Sequence, residues 1–222
     1  MKSRKLKRIL GLVLALVAAL LLWVGLDLFI PRRVDIRHFN AEEVARLDAA
    51  MWRSYYDRQP RRLFFQLAEL MRDQFQFPIF RSNRVALSAA RAAFIFKDGH
   101  NRDDYEKALP DLTDYFQQIH DISATSFDVE HAAELELEWW IVHRERDTRR
   151  EGDLARALAE AAAELYQVSP DKLAEYGHYR AAAMTIRDTK AVAGGVTEDD
   201  WHEIQTDLLI AWQSLWKAVQ RT

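Results

Sequence analysis

Between Ile9 and Leu26 lie eighteen consecutive residues without a charge. As a helix this run spans roughly 27 Å at about 1.5 Å per residue, close to the roughly 30 Å of a bilayer's hydrocarbon layer. The stretch therefore reads as a transmembrane helix. Trp23 falls near its far end, where an amphipathic ring suits the interface, and Pro31-Arg32-Arg33 ends it. Lys2, Arg4, Lys5, Lys7 and Arg8 precede the run, so the positive-inside rule places the N-terminus in the cytoplasm and the rest of the chain outside it. A cleaved secretory signal is the alternative, with Val17-Ala18-Ala19 as its small-residue site. Cleavage there would leave Leu20-Leu21-Leu22-Trp23 as an apolar end on the mature chain. The expected organisation is a basic cytoplasmic segment at 1–8, a signal anchor at 9–30 and an extracytoplasmic domain at 31–222.

The chain beyond the anchor has the means to fold on its own. The full 222 residues are 49% hydrophobic and 29% charged, which argues against disorder. There are only 7 Gly and 5 Pro, too few to turn the chain as often as a sandwich or barrel requires. With no Cys, disulfides, thiolate metal sites and a cysteine nucleophile are all excluded. Residues 31–222 carry 26 basic against 33 acidic side chains, so no basic field exists there to attract nucleic acid.

Apolar periodicity predicts eight helices after the anchor and no strand. The first, 41–57, opens on Asn40-Ala41-Glu42-Glu43, a capping-box pattern. Pro60 starts a second that Phe77-Pro78 stops, and a third, 83–97, is rich in Ala and Ser and ends at Gly99. The stripe Tyr105, Leu109, Leu112, Phe116, Ile119 keeps its phase across Pro110, predicting one bent helix. The others cover 127–146, 152–166, 170–189 and 198–220. The fold class is all-α, a single helical bundle behind an N-terminal transmembrane helix.

Function has to be sought where polar groups invade the apolar stripes. At 100° per residue, the helix over 127–146 buries Val129, Ala132, Ala133, Trp139 and Trp140, with Glu136 and His143 in the same arc. On 170–189, Arg180 and Arg187 fall among Leu173, Tyr176, Ala183 and Met184, and on 41–57 Asp48 joins the edge of the stripe. Buried carboxylates need partners and guanidinium groups supply donors, so these two helices are expected to face one another, Glu136 bonding Arg180 or Arg187 with His143 nearby. Asp48, Glu136, His143, Arg180 and Arg187, with Trp139 and Trp140 as aromatic lining, form the candidate site. The same set reads as a buried network fixing helix register, a pocket for a small anionic or polar ligand, or a loose metal site.

A di-metal carboxylate bundle needs two Glu-x-x-His motifs facing inward. The chain has one, Glu175-Tyr176-Gly177-His178, whose acid and His fall on the polar side. The adjacent arginines also oppose a cation at the other site. No metal ligand set, cofactor motif or catalytic residue is assigned, since the chain lacks a Gly-rich phosphate loop, a Gly-x-Ser-x-Gly elbow and a His-Glu-x-x-His motif.

Ala50-Met51-Trp52-Arg53-Ser54-Tyr55-Tyr56 and Leu135-Glu136-Leu137-Glu138-Trp139-Trp140-Ile141-Val142-His143-Arg144 resemble segments of an uncharacterised group of bacterial single-pass, all-helical proteins. That resemblance implies a bacterial origin and an anchor, with no activity attached. The expected function is binding: an accessory or scaffold subunit tethered to the cell membrane, with the bilayer as partner through residues 9–30 and a membrane-complex protein as partner of the domain. A small-molecule binder or enzyme using the buried polar site, and an atypical di-metal oxidoreductase, are the alternatives.

Overall fold

A computed structural model of the protein describes residues 2–220, without the side chains of Lys2, Ser3, Arg4 and Leu6. Lys2 and Arg4 of the basic cluster thus lie outside the described side chains. The first helix, α1, covers Lys2–Phe29. Its segment Lys7–Phe29, 23 residues with a mean hydropathy of 2.8, is long and apolar enough to cross a membrane. The side chains of residues 7–22 are exposed throughout, so the domain offers them no apolar cover.

The remaining helices are α2 (Ala41–Tyr56), α3 (Pro60–Phe75), α4 (Ile79–Asp98), α5 (Arg102–Tyr105), α6 (Leu109–Ile122), α7 (Val129–Arg144), α8 (Asp153–Tyr166), α9 (Ala174–Val192) and α10 (Glu198–Gln220). Among the described residues there is no strand, only an isolated bridge between Val34 and Ser123. From α2 to α10, leaving aside the single turn of α5, each helix packs on its neighbours in the chain, and α10 returns against α2. The result is a closed ring of eight helices whose apolar stripes meet inside it, with Leu47, Phe75, Leu112, Ile119, Ile141, Tyr166 and Leu215 among its fully buried side chains.

Local chemistry sets the helix ends. The Asn40 side chain accepts the N–H groups of Glu42 and Glu43 at 3.0 and 3.2 Å, while the Glu43 carboxylate turns to Arg46 instead of closing the box. A reciprocal box does form at α10: Thr197 N–H donates to Asp200 at 2.8 Å and Asp200 N–H to the Thr197 hydroxyl at 3.2 Å. The stripe across Pro110 is not one bent α-helix. A 3₁₀ turn at Glu106–Ala108 separates α5 from α6, with Leu109 N–H bonded to the Glu106 carbonyl. Proline has no N–H for an i→i−4 bond and its ring crowds that carbonyl, so the tighter turn takes over. A second 3₁₀ turn, Pro170–Leu173, precedes α9.

Gly177 has no place in the periodicity, yet it fixes a contact. A Cβ there would lie 2.0 Å from the Ala155 carbonyl oxygen of α8, so only glycine admits this approach. Segment 31–40, to which periodicity assigns no element, is stitched across one pole of the ring. Val34 exchanges bonds of 2.7 and 2.8 Å with Ile122 and Ala124. The Arg37 guanidinium donates to the Tyr166 carbonyl at 3.0 Å, Gln220 donates to the Arg37 carbonyl at 2.7 Å, and Ile36 is fully buried. At the same pole Asp27 accepts the N–H groups of Phe80 and Arg81 at 3.1 and 3.2 Å, and Trp23 meets Phe80 edge-on at 5.2 Å. The long N-terminal helix is thereby joined to α4.

Candidate functional site

The ring interior holds two polar layers. In the deeper one Asp48 of α2, 1% exposed, forms an ion pair with Arg180 of α9 and accepts the Trp212 indole N–H of α10 at 2.9 Å. The guanidinium lies 5.4, 5.5 and 5.9 Å from the ring centres of Trp52, Trp212 and Tyr176. The ring order explains this, since α10 sits between α2 and α9 and its tryptophan bridges them. Burial acts to lower the Arg180 pKa, but the adjoining Asp48 carboxylate outweighs it and holds the guanidinium firmly charged.

Glu136 accepts the Trp140 indole N–H at 3.0 Å within α7. The expected bond from Glu136 to an arginine is not made, because Arg180 is taken by Asp48 and Arg187 by Asp188. Burial pushes the Glu136 carboxyl above its ordinary value, against the Trp139 and Trp140 indoles and the more distant charge of Arg180. Although deep in the ring, Glu136 and Tyr115 keep some accessible surface. The hydroxyls of Tyr115 and Tyr176 have no hydrogen-bond partner among the described residues, and burial pushes the Tyr176 hydroxyl to about 12.

The outer layer joins α7 to α9 directly. His143 Nε2 lies 2.9 Å from an Asp188 carboxylate oxygen, Arg187 donates to the other at 2.8 Å, and Arg146 approaches at 3.3 Å. The Arg187 guanidinium sits 3.2 Å from the Tyr56 ring centre. Burial would raise the Asp188 carboxyl, but the bonds from His143 and Arg187 prevail and hold it at about 2. Residues 136 and 143 thus match 180 and 188 in the same order, so α7 and α9 run parallel with α8 between them.

The structure therefore brings Asp48 to Arg180, and His143 to Arg187 through Asp188, and leaves Glu136 with the tryptophans. Asp188 is a member that the apolar arc does not single out, because at 100° per residue it falls 40° beyond Met184, outside the arc's edge. Asp48, Glu136 and His143 do not converge on one point. The described acids that do converge are Glu43, Glu69 and Asp73 on the surface, where Arg46 already bonds Glu43. Glu175 and His178 are both exposed. No family model matches the chain, and no curated protein or solved structure is similar to it.

Proposed function

We propose that this is a membrane-tethered helical domain that acts by binding, an accessory or scaffold subunit whose protein partner lies alongside α4. In this reading the N-terminus is cytoplasmic and the ring extracytoplasmic. The carrying observation is the outer face of α4: Phe80, Leu87 and Phe94 repeat every seven residues, with Leu87 and Phe94 43% and 51% exposed. Arg84 and Arg91, also seven apart and exposed, flank that line. Such a line gives a second helix an apolar strip to pack on, with basic flanks suited to an acidic partner. Because Phe80 is already packed on Trp23, the stripe starts at the anchor and runs outward from it.

The test is photocrosslinking in intact cells from a reactive residue placed at Leu87 or Phe94, with exposed Glu175 on α9 as the control position. A discrete adduct from the α4 positions, lost on adding Leu87→Glu to the Phe94 probe, is expected. Equal adducts from all three positions would remove the proposal. A cytoplasm-only reporter fused after Thr222 checks the orientation and should stay silent.

A second reading is favoured by the hydroxyls of Tyr115 and Tyr176 near Glu136, which have no protein partner among the described residues and keep accessible surface. They suit a small polar ligand. An anion is disfavoured because Arg180 and Arg187 are already neutralised by Asp48 and Asp188. Thermal-shift screening of small amines and polyols against wild type and Glu136→Gln tests it, and identical responses from both would count against it.

A further inference from the structure

The level at which α4 begins carries an inference that rests on reading Lys7–Phe29 as a membrane span. Trp23 lies six residues before Phe29, about 9 Å along a helix axis, and its ring touches Phe80. Asp27, two residues before Phe29, holds the N–H groups of Phe80 and Arg81. The first turn of α4 is therefore level with the last two turns of the span, not beyond them. A domain attached in this way has to enter the interfacial layer of the bilayer.

The side chains at that level suit the position. Phe29, Ile30 and Ile79 are 81%, 46% and 47% exposed, a strongly apolar group at the one pole where the anchor leaves the ring. Around them stand cations. Arg81 donates to the carbonyls of Asp27 and Ile30 at 2.6 and 2.5 Å, and Arg32 is near enough for its charge to oppose that of Arg81. Arg32 and Arg33 are exposed and enter no ion pair among the described residues. The acids nearby are spent: Asp27 caps α4, and Asp35 bonds His38 and the Arg37 N–H.

We infer that the bilayer surface is a docking surface for the ring: Phe29, Ile30 and Ile79 enter the interfacial layer, and Arg32, Arg33 and Arg81 hold the phosphate of an anionic phospholipid headgroup. Aromatic and aliphatic side chains at headgroup depth, with arginines reaching phosphates, are the usual means of such contact. The contact fixes the height and tilt of α4, and with them the direction in which its outer stripe faces.

Because the chain has no Cys, single nitroxide labels can be attached through Ile79→Cys, Leu16→Cys and Val192→Cys in the full chain. Val192 ends α9 at the opposite pole and is 87% exposed. In phosphatidylcholine vesicles containing phosphatidylglycerol, the ratio of collisions with oxygen to collisions with a water-soluble nickel chelate should be several-fold higher at Ile79→Cys than at Val192→Cys. Omitting phosphatidylglycerol, or combining Arg32→Gln with Arg33→Gln, should lower that ratio, and inorganic phosphate added to phosphatidylcholine alone should not restore it. A label at Ile79→Cys as open to nickel as the one at Val192→Cys, or no response to the anionic lipid, overturns the inference. If Leu16→Cys is also open to nickel, the membrane span itself is refuted. If Leu16→Cys is lipid-buried, only the docking fails.

Discussion

The Asp27 carboxylate accepts the main-chain N–H of Arg81 at 3.2 Å, and the Arg81 side chain returns a bond of 2.6 Å to the Asp27 carbonyl. α4 begins after Pro78, which supplies no side-chain cap. The orphan N–H groups of its first turn are instead satisfied by an acid from another helix, at the end of the helix where negative charge is favoured. Asp27 is the one acid of the first thirty residues, and it is 6% exposed in this role.

Asp27→Ala should therefore loosen the joint. A lost N-cap acceptor costs about 0.5–2 kcal/mol, and Asp27→Asn, which keeps one oxygen acceptor, should cost less. Chemical unfolding in detergent micelles measures the loss, and proteolysis within residues 31–40 should quicken in the alanine variant. Equal stability and equal cleavage for all three chains would show that the joint carries no weight.

Removing one member of the Asp48–Arg180 pair strands the other in the core. Asp48→Leu or Arg180→Met alone should destabilise by about 3–5 kcal/mol, whereas the double variant should recover much of the loss. A double-mutant cycle by denaturant unfolding gives the coupling. Additive losses would mean that the two side chains do not act as a pair.

At Gly177 the sign is opposite to the helical preference for alanine. Gly177→Ala would gain up to about 1 kcal/mol of helix propensity, but it drives a methyl onto the Ala155 carbonyl, and overpacking costs about 1–3 kcal/mol or more. The expected result is a lower Tm. A Tm at or above that of the wild type would contradict the close approach of α8 and α9.

Asp188 makes stability depend on acid. Its folded value of about 2 lies below the ordinary value of 3.8, so its contribution is present above about 3.8 and is lost as pH falls through about 2. A shift of that size corresponds to roughly 2 kcal/mol at most. Asp188→Asn should therefore be less stable than wild type at neutral pH, with the difference shrinking as pH is lowered from about 4 to about 2. A difference independent of pH would place the effect in packing.

The arcs were legible because they are local. Asp48, Glu136, His143, Arg180 and Arg187 fall on the inner faces of their helices by the same 100° arithmetic that finds the apolar stripes. On α10, Trp216 falls 40° beyond Trp212 by that arithmetic and is 40% exposed, whereas Trp212 is buried. The partners of the polar groups were less legible. Opposite charges seven residues apart on two helices suggest pairing, but Arg180 is met by Asp48 across the ring closure, and Glu136 is satisfied four residues along its own helix by Trp140.

Read alone, the sequence shows that the chain is helical, that one segment is long and apolar enough to cross a bilayer, and that Asp48, Glu136, His143, Arg180 and Arg187 fall on or beside apolar stripes. Each of these depends on periodicity or run length within a single element. Packing between helices fixes what periodicity does not: that α10 closes on α2, that α7 and α9 run parallel, and that Asp27 ties α1 to α4. These contacts join residues separated by 45 to 164 positions, where pairing is set by which helices are neighbours and by their offset along the axis. That offset depends on close approaches such as Gly177 against Ala155, which leave no periodic trace in the chain.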